Sequence, residues 1–133
     1  MNRFKVSISY NGTHFSGSQY QPGLRTVVSV IQAVLAQLYH YPVQIYFSGR
    51  TDQGVHAKEQ VFHYDVPNGF PEDKQVIALN SLLPDDVRVL SVISVSESFH
   101  SRFSAISREY RYLFSSCKIP LFLQEYIVPI SFF

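Results

Sequence analysis

Phe4, Val6, Ile8 and Tyr10 alternate with Lys5, Ser7 and Ser9, a period of two that predicts a strand with one buried face. Asn11-Gly12 then supplies a turn. Residues 11 to 25 hold three glycines, a proline and many polar side chains, so they predict a long loop. Asn11-Gly12-Thr13 also matches a glycosylation sequon, but no secretory signal accompanies it and the turn is the expected role. Thr26 is placed as an N-cap ahead of Val27, Val30, Ile31, Val34, Leu35 and Leu38, whose spacing predicts an amphipathic helix ending before Pro42. Val43, Ile45 and Phe47 alternate into a second strand that breaks at Ser48-Gly49. A polar turn through Gly54 leads into an extended run from about Val55 to Val66, rich in aromatic and β-branched residues.

Pro67, Asn68, Gly69 and Pro71 mark the next loop. Glu72 and Asp73 fall in the first turn of a second helix, where negative charge suits the helix dipole, and Pro84 closes it. Val87, Val89, Ile93 and Val95 mark another strand, and Tyr110, Tyr112 and Phe114 alternate with Glu109, Arg111 and Leu113 in a further one. The order β-α-β-β-α-β, with extra strands at the end, predicts an α+β, ferredoxin-like antiparallel sheet with two helices on one face.

Composition narrows the class. With 133 residues, 46% hydrophobic and 15% aromatic, the chain is too rich in core-forming side chains for a disordered segment and has room for one core. It is expected to be one domain or part of something larger. No apolar stretch approaches the roughly 18 residues of a membrane span, and there is no cationic leader with an apolar segment, so a cytoplasmic protein with no membrane contact is expected. Cys117 is the lone cysteine, which excludes an internal disulfide and an all-cysteine metal cage. The formal net charge is only +1, but the charges are unevenly placed. Arg102, Arg108 and Arg111 share the His100–Arg111 stretch with one acid, Glu109, whereas Glu72, Asp73, Asp85 and Asp86 gather elsewhere.

The most unusual local sequence is Ser48-Gly49-Arg50-Thr51-Asp52-Gln53-Gly54-Val55-His56-Ala57. Glycines bracketing an Arg, a Thr and an Asp between two strands suit close approach of a substrate, and the Asp can be a base, a nucleophile or a ligand. The alternative is an Asx-turn aspartate bonded to its own backbone, or a surface pair with Arg50. His14, His56, His63 and His100 lack metal-ligand spacing. A triad drawn from Ser48 or Ser104 with His56 and Asp52 lacks a nucleophile elbow, and no phosphate-cradling glycine pattern occurs. The second constellation is Phe99-His100-Ser101-Arg102-Phe103-Ser104-Ala105 followed by Arg108-Glu109-Tyr110-Arg111-Tyr112. Arginines among aromatics suit RNA, holding phosphates while rings stack on unpaired bases; the same aromatics are equally suited to the core of a sheet.

Together these residues resemble the N-terminal half of the tRNA pseudouridine synthase A family. The matching pieces are Tyr10-Asn11-Gly12-Thr13-His14-Phe15 with Gln19 and Gln21-Pro22, Gly49-Arg50-Thr51-Asp52 with Gly54-Val55-His56-Ala57, Ala78-Leu79-Asn80 with Leu83-Pro84, and Phe99-His100 with Arg102-Phe103-Ser104-Ala105. The resemblance implies isomerisation of uridine to pseudouridine in the tRNA anticodon stem-loop, with no metal or organic cofactor, by a homodimer. It implies that Asp52 is the catalytic aspartate, that Arg50 assists base flipping and contacts RNA, and that Tyr110 packs against the target uracil from one face of its strand, shared by Tyr112 and Phe114. Arg102, Arg108, Arg111 and His56 become candidate RNA contacts. Ser18 stands where the family usually has Trp, Val28 where Gln is common, and Glu59 where glycine is usual. The family runs to roughly twice this length, by analogy with a catalytic domain of two similar halves, so residues 1–133 are expected to form one half-domain, the C-terminal half being absent. The competing expectation is a catalytically silent module that binds RNA or self-associates through the uncovered face.

Overall fold

The structure is a computed structural model that describes residues 1–129. The alternating N-terminal run forms β1 (Asn2–Tyr10). There follow α1 (Val27–Tyr39), β2 (Ile45–Phe47), β3 (Ala57–Val66), α2 (Glu72–Leu82) and β4 (Val87–Val95). The sheet order is β2-β3-β1-β4 with every neighbouring pair antiparallel. Each strand-helix-strand crossing therefore spans an intervening strand from the other crossing, which is the split βαβ arrangement the element order predicts.

On one face of the sheet Phe4 pairs with Tyr64 and Val6 with Phe62. These four side chains, with Ile8 and Tyr10, are buried beneath Val27, Ile31, Val34 and Leu35 of α1 and Leu79 of α2. Helix α1 begins where Thr26 predicts. The Thr26 hydroxyl accepts the Ser29 N–H and the Ser29 hydroxyl accepts the Thr26 N–H, both at 3.1 Å, a reciprocal cap built with Ser in place of the usual Glu. The helix ends on His40 at φ 65°, two residues before Pro42. In the core the Tyr39 hydroxyl lies 2.9 Å from that of Tyr64, which donates to the Gln75 side-chain oxygen. Burial pushes the Tyr64 phenol well above its ordinary range.

Two features depart from the periodic reading. Opposite β1, the register of β4 slips between Ser91 and Val89, so Leu90 is an extra residue and the pleat changes phase. Val87, Val89 and Val92 consequently face the helices, while Leu90 and Ile93 stand exposed. The Asn80 side chain of α2 bonds both the N–H and the C=O of Val89, at 2.7 and 3.0 Å, satisfying edge-strand groups beside this bulge.

The strand expected through Tyr110, Tyr112 and Phe114 does not form. Residues 105–113 have no regular structure, and only β5 (Phe114–Ser115) pairs, in parallel, with β6 (Val128–Pro129). Alternation alone does not make a strand: its backbone groups need a ladder, and among the described residues none lies beside 105–113. Nor are Phe103, Tyr110 and Tyr112 core residues, since all three are exposed. Among the described residues no helix is long and apolar enough to cross a membrane.

The second face of the sheet carries Arg3, Lys5, His63 and Asp65, and an arm from Ser96 onward crosses it. Arg3 forks onto Asp65 at 2.8 and 2.9 Å and donates to the carbonyls of Glu97 and Phe99. The bonded guanidinium holds the Asp65 carboxyl below the usual carboxylate range. Farther on, the arm reaches His63 of β3 and the Tyr46 carbonyl of β2.

Candidate active site

Three connections meet at one end of the sheet, where Tyr10 pairs with Ala57 of β3 and Val87 of β4: residues 11–26, residues 48–56, and the approach to β4. Close packing clamps the first two together. The Gly12 N–H donates to Nδ1 of His56 at 2.9 Å, the Ser18 N–H to the Thr51 carbonyl at 3.0 Å, and the Thr51 N–H to the Ser18 hydroxyl at 2.8 Å. The Tyr10 hydroxyl lies 2.7 Å from that of Thr51, and the Gln60 amide donates to the Gly49 carbonyl at 3.0 Å. Burial raises the Tyr10 phenol above its ordinary range, with the Thr51 bond opposing. Arg25 pins the outer loop, forking onto Asp86 at 2.8 and 3.0 Å with its guanidinium 4.1 Å from the Phe15 ring centre.

On this clamped loop Asp52 is exposed, and its side chain makes no hydrogen bond or ion pair among the described residues. Its backbone carbonyl accepts the Val55 N–H at 3.1 Å, closing a turn whose third residue, Gly54, has φ +79°. The Asx-turn alternative is therefore absent, and so is a surface pair: Arg50 is also exposed and does not bridge to Asp52.

Tyr110 comes to the same place although it is not on a strand. A Cβ added to Gly49 would lie 3.8 Å from the Tyr110 hydroxyl and 3.4 Å from Nε of Arg108. Arg108 donates to the Ser48 carbonyl from Nε and Nη2, at 3.2 and 2.9 Å, and from Nη2 to the Arg102 carbonyl at 3.1 Å. It ties the arm to the start of the Asp52 loop. Arg102 points its own guanidinium outward, 5.9 Å from the Phe103 ring centre. Arg111 faces Glu109 at 3.6 Å with both side chains exposed, a pair worth little in water.

His56 is not free. With Nδ1 accepting from Gly12, its other nitrogen donates to the Glu125 carbonyl at 2.7 Å, and its ring sits 4.8 Å from that of Tyr126. It does not meet Ser48, Ser104 or Asp52 in a triad. Glu125 bonds the Thr13 hydroxyl at 2.9 Å, and this bond together with Asn11 holds its carboxyl below the usual range.

The supporting roles of Tyr10, Ser18, Thr51 and Gln60 could not be read from periodicity: Tyr10 carried the signal of a buried strand position and Thr51 that of the glycine-bracketed turn, but their bonds join segments distant along the chain. Ser18, which stands where the family usually has Trp, is buried and fills its place by bonding Thr51; Val28 is half-buried and Glu59 exposed. Ser18→Ala removes the acceptor for the Thr51 N–H and is expected to cost about 1–2 kcal/mol in urea unfolding. A variant as stable as the parent would mean that the Ser18 bond does not hold the loop.

The fold and site define an α+β protein with an exposed loop carboxylate, unpaired among the described residues, near arginines and an exposed tyrosine. The family model for tRNA pseudouridine synthase matches residues 6–104. The chain is 53% identical over 116 residues to tRNA pseudouridine synthase A of Bacillus pumilus, covering 86% of this chain and 47% of that protein. It is 43% identical over 133 residues to the Bacillus subtilis protein of the same name, covering 98% and 54%, and 39% identical over 132 residues to that of an Exiguobacterium species, covering 99% and 53%. The chain belongs to the tRNA pseudouridine synthase family, and it spans about half the length of the curated relatives it matches.

Proposed function

We propose that this chain supplies the aspartate-bearing half-domain of a tRNA pseudouridine synthase acting on uridine in the anticodon stem-loop, with Asp52 as the catalytic carboxylate, and that the working enzyme is a cytoplasmic homodimer. The observation that carries this reading is the exposed Asp52 side chain, without a partner among the described residues, on a loop tied down on both sides. A fixed backbone holds the carboxylate in place, and with no bond to the described residues its oxygens are left for substrate.

The reaction breaks the bond from N1 of uracil to ribose C1′, turns the held base, and joins C5 to C1′; C5 gives up its proton and N1 gains one. Atoms balance without an oxidant or reductant. An unpaired carboxylate suits the ribose side of this exchange, where it can stabilise charge at C1′, attack that carbon or take a sugar proton. The nucleotide first leaves its stack, at roughly a few kcal/mol. Arg50 stands two residues from Asp52 to meet the displaced strand, and Tyr110 offers an exposed ring for the uracil. Of the three arginines on the arm, Arg102 is the least engaged. Arg108 and Arg111 have less to give to RNA, one clamping carbonyls and the other facing Glu109, and His56 acts through the loop it holds.

Transcripts of tRNA carrying tritium at uracil C5 release it when C5 is joined to C1′. With this chain fused to the second half of the Bacillus pumilus relative, release is expected from transcripts with an intact anticodon arm, and it should vanish when the uridines of that arm are replaced by cytidine. Release that survives the replacement would overturn the anticodon reading. Absence of release from every transcript would overturn the activity.

A further inference from the structure

Beyond the Asp52 loop, the most enclosed polar contact on the second sheet face is that between His63 and Ser101. His63 lies on β3 opposite Lys5 of β1 and is 1% exposed; Ser101 is 2% exposed. Nδ1 of His63 accepts the Ser101 N–H at 3.1 Å, with the Ser101 hydroxyl 3.0 Å away and donating to the Tyr46 carbonyl. The imidazole stacks on Tyr46 at 4.9 Å and meets His100 edge-on at 4.6 Å. A backbone N–H only donates, so Nδ1 must keep its lone pair and the ring proton must sit on Nε2. A second proton, on Nδ1, would set two N–H groups against each other in a buried site.

We propose that neutral His63 is a positioning residue: by holding Ser101 it anchors the arm 96–108 across the sheet, and the arm in turn sets Arg102 and Tyr110 beside the Asp52 loop. Its RNA readout rests on the function proposed above. The link to the loop is physical. Arg102, next to Ser101, gives its carbonyl to Arg108, and Arg108 also holds the Ser48 carbonyl at the loop's start. Releasing Ser101 frees Arg102 and weakens that clamp.

The groups facing the imidazole agree with a neutral ring. Arg3 and Lys5 approach from β1, Asp65 from β3, the strand of His63 itself, Tyr46 from β2, and His100 from the arm. Burial, with Arg3 and His100 adding to it, pushes the His63 pKa down to about 4 from 6.5, while Asp65, engaged by Arg3, opposes. A group depressed in this way binds its proton more readily once released. The anchor is therefore complete above about pH 6.5 and is progressively lost as pH falls from there towards 4.

The test uses this chain with His63→Asn, whose side-chain oxygen offers an acceptor near the Nδ1 position without titrating, and His63→Phe, which keeps a ring and removes the acceptor. Hydrogen exchange across residues 96–108 is read at pH 7 and pH 5, corrected for intrinsic rates, beside tRNA affinity at constant ionic strength. In the parent, arm protection should fall roughly tenfold between the two pH values and tRNA affinity should weaken with it. His63→Asn should keep the arm protected with no step between the two pH values, and His63→Phe should leave it unprotected at both. Intact protection in His63→Phe, or a persisting step in His63→Asn, would overturn the inference. If His63→Phe does not fold, the parent and His63→Asn still decide. If the arm behaves as expected but the parent binds no tRNA at pH 7, the positioning role stands and the RNA function falls.

Discussion

Asp52→Ala is expected to lower pseudouridine formation by roughly two to four orders of magnitude while leaving the fold almost untouched. The two halves of this expectation have separate grounds. The carboxylate is exposed and bonds nothing among the described residues, so its removal should change stability by no more than about 0.5 kcal/mol. The loop that presents it is held by Tyr10, Ser18, Gly12 and Gln60, and none of these contacts passes through the Asp52 side chain. Asp52→Asn should behave like the alanine variant, because it keeps the shape and removes the charge. Tritium release with the fused protein measures activity, and urea unfolding of this chain measures stability. An alanine variant that retained activity would remove Asp52 from the chemistry, whereas one that lost stability would show a structural role for its side chain.

The largest effect on stability is expected from Gly12→Ala. A Cβ there would lie 1.9 Å from the Val55 carbonyl oxygen and 2.6 Å from its carbon. These are backbone atoms inside a hydrogen-bonded turn, so no side-chain rotation relieves the overlap. The two loops must part, and the bonds from Gly12 to His56 and from the Gly54 N–H to the Phe15 carbonyl go with them. Overpacking of this kind costs about 1–3 kcal/mol before the lost hydrogen bonds are added. The midpoint of urea unfolding should fall clearly, and amides of residues 51–56 should exchange faster. Tritium release by the fused protein should fall too, although Gly12 touches no substrate atom, because Arg50 and Asp52 ride on the displaced loop. Unchanged unfolding and exchange would show that the loops do not pack as tightly as the structure has them.

The elements that were legible along the chain are those whose information is local. Phe4 through Tyr10 alternate because one side of β1 faces the helices, and α1 is framed by a capping threonine and a following proline. The loop around Asp52 was also legible, as charged side chains between glycines at a strand junction. Reading too much into alternation produced the one false element, at 109–114. There Tyr110, Tyr112 and Phe114 carry the period of a strand, but residues 105–113 find no ladder among the described residues. The extra residue at Leu90 was equally invisible, because a bulge is defined only by the partner strand it slips against.

The amino-acid sequence by itself determined the order of elements, the helix-facing side of β1, and Asp52, Arg50 and the arginine-aromatic arm as candidate chemistry. The tertiary structure decided that Asp52 is unpaired among the described residues, that Arg108 and His56 hold backbone groups, and that Ser101 is secured by a histidine 38 residues earlier. Local periodicity is written by neighbours along the chain. Whether a polar side chain is spent inside the protein or left for a substrate depends on which distant backbone groups the folded sheet and its loops bring within hydrogen-bond reach.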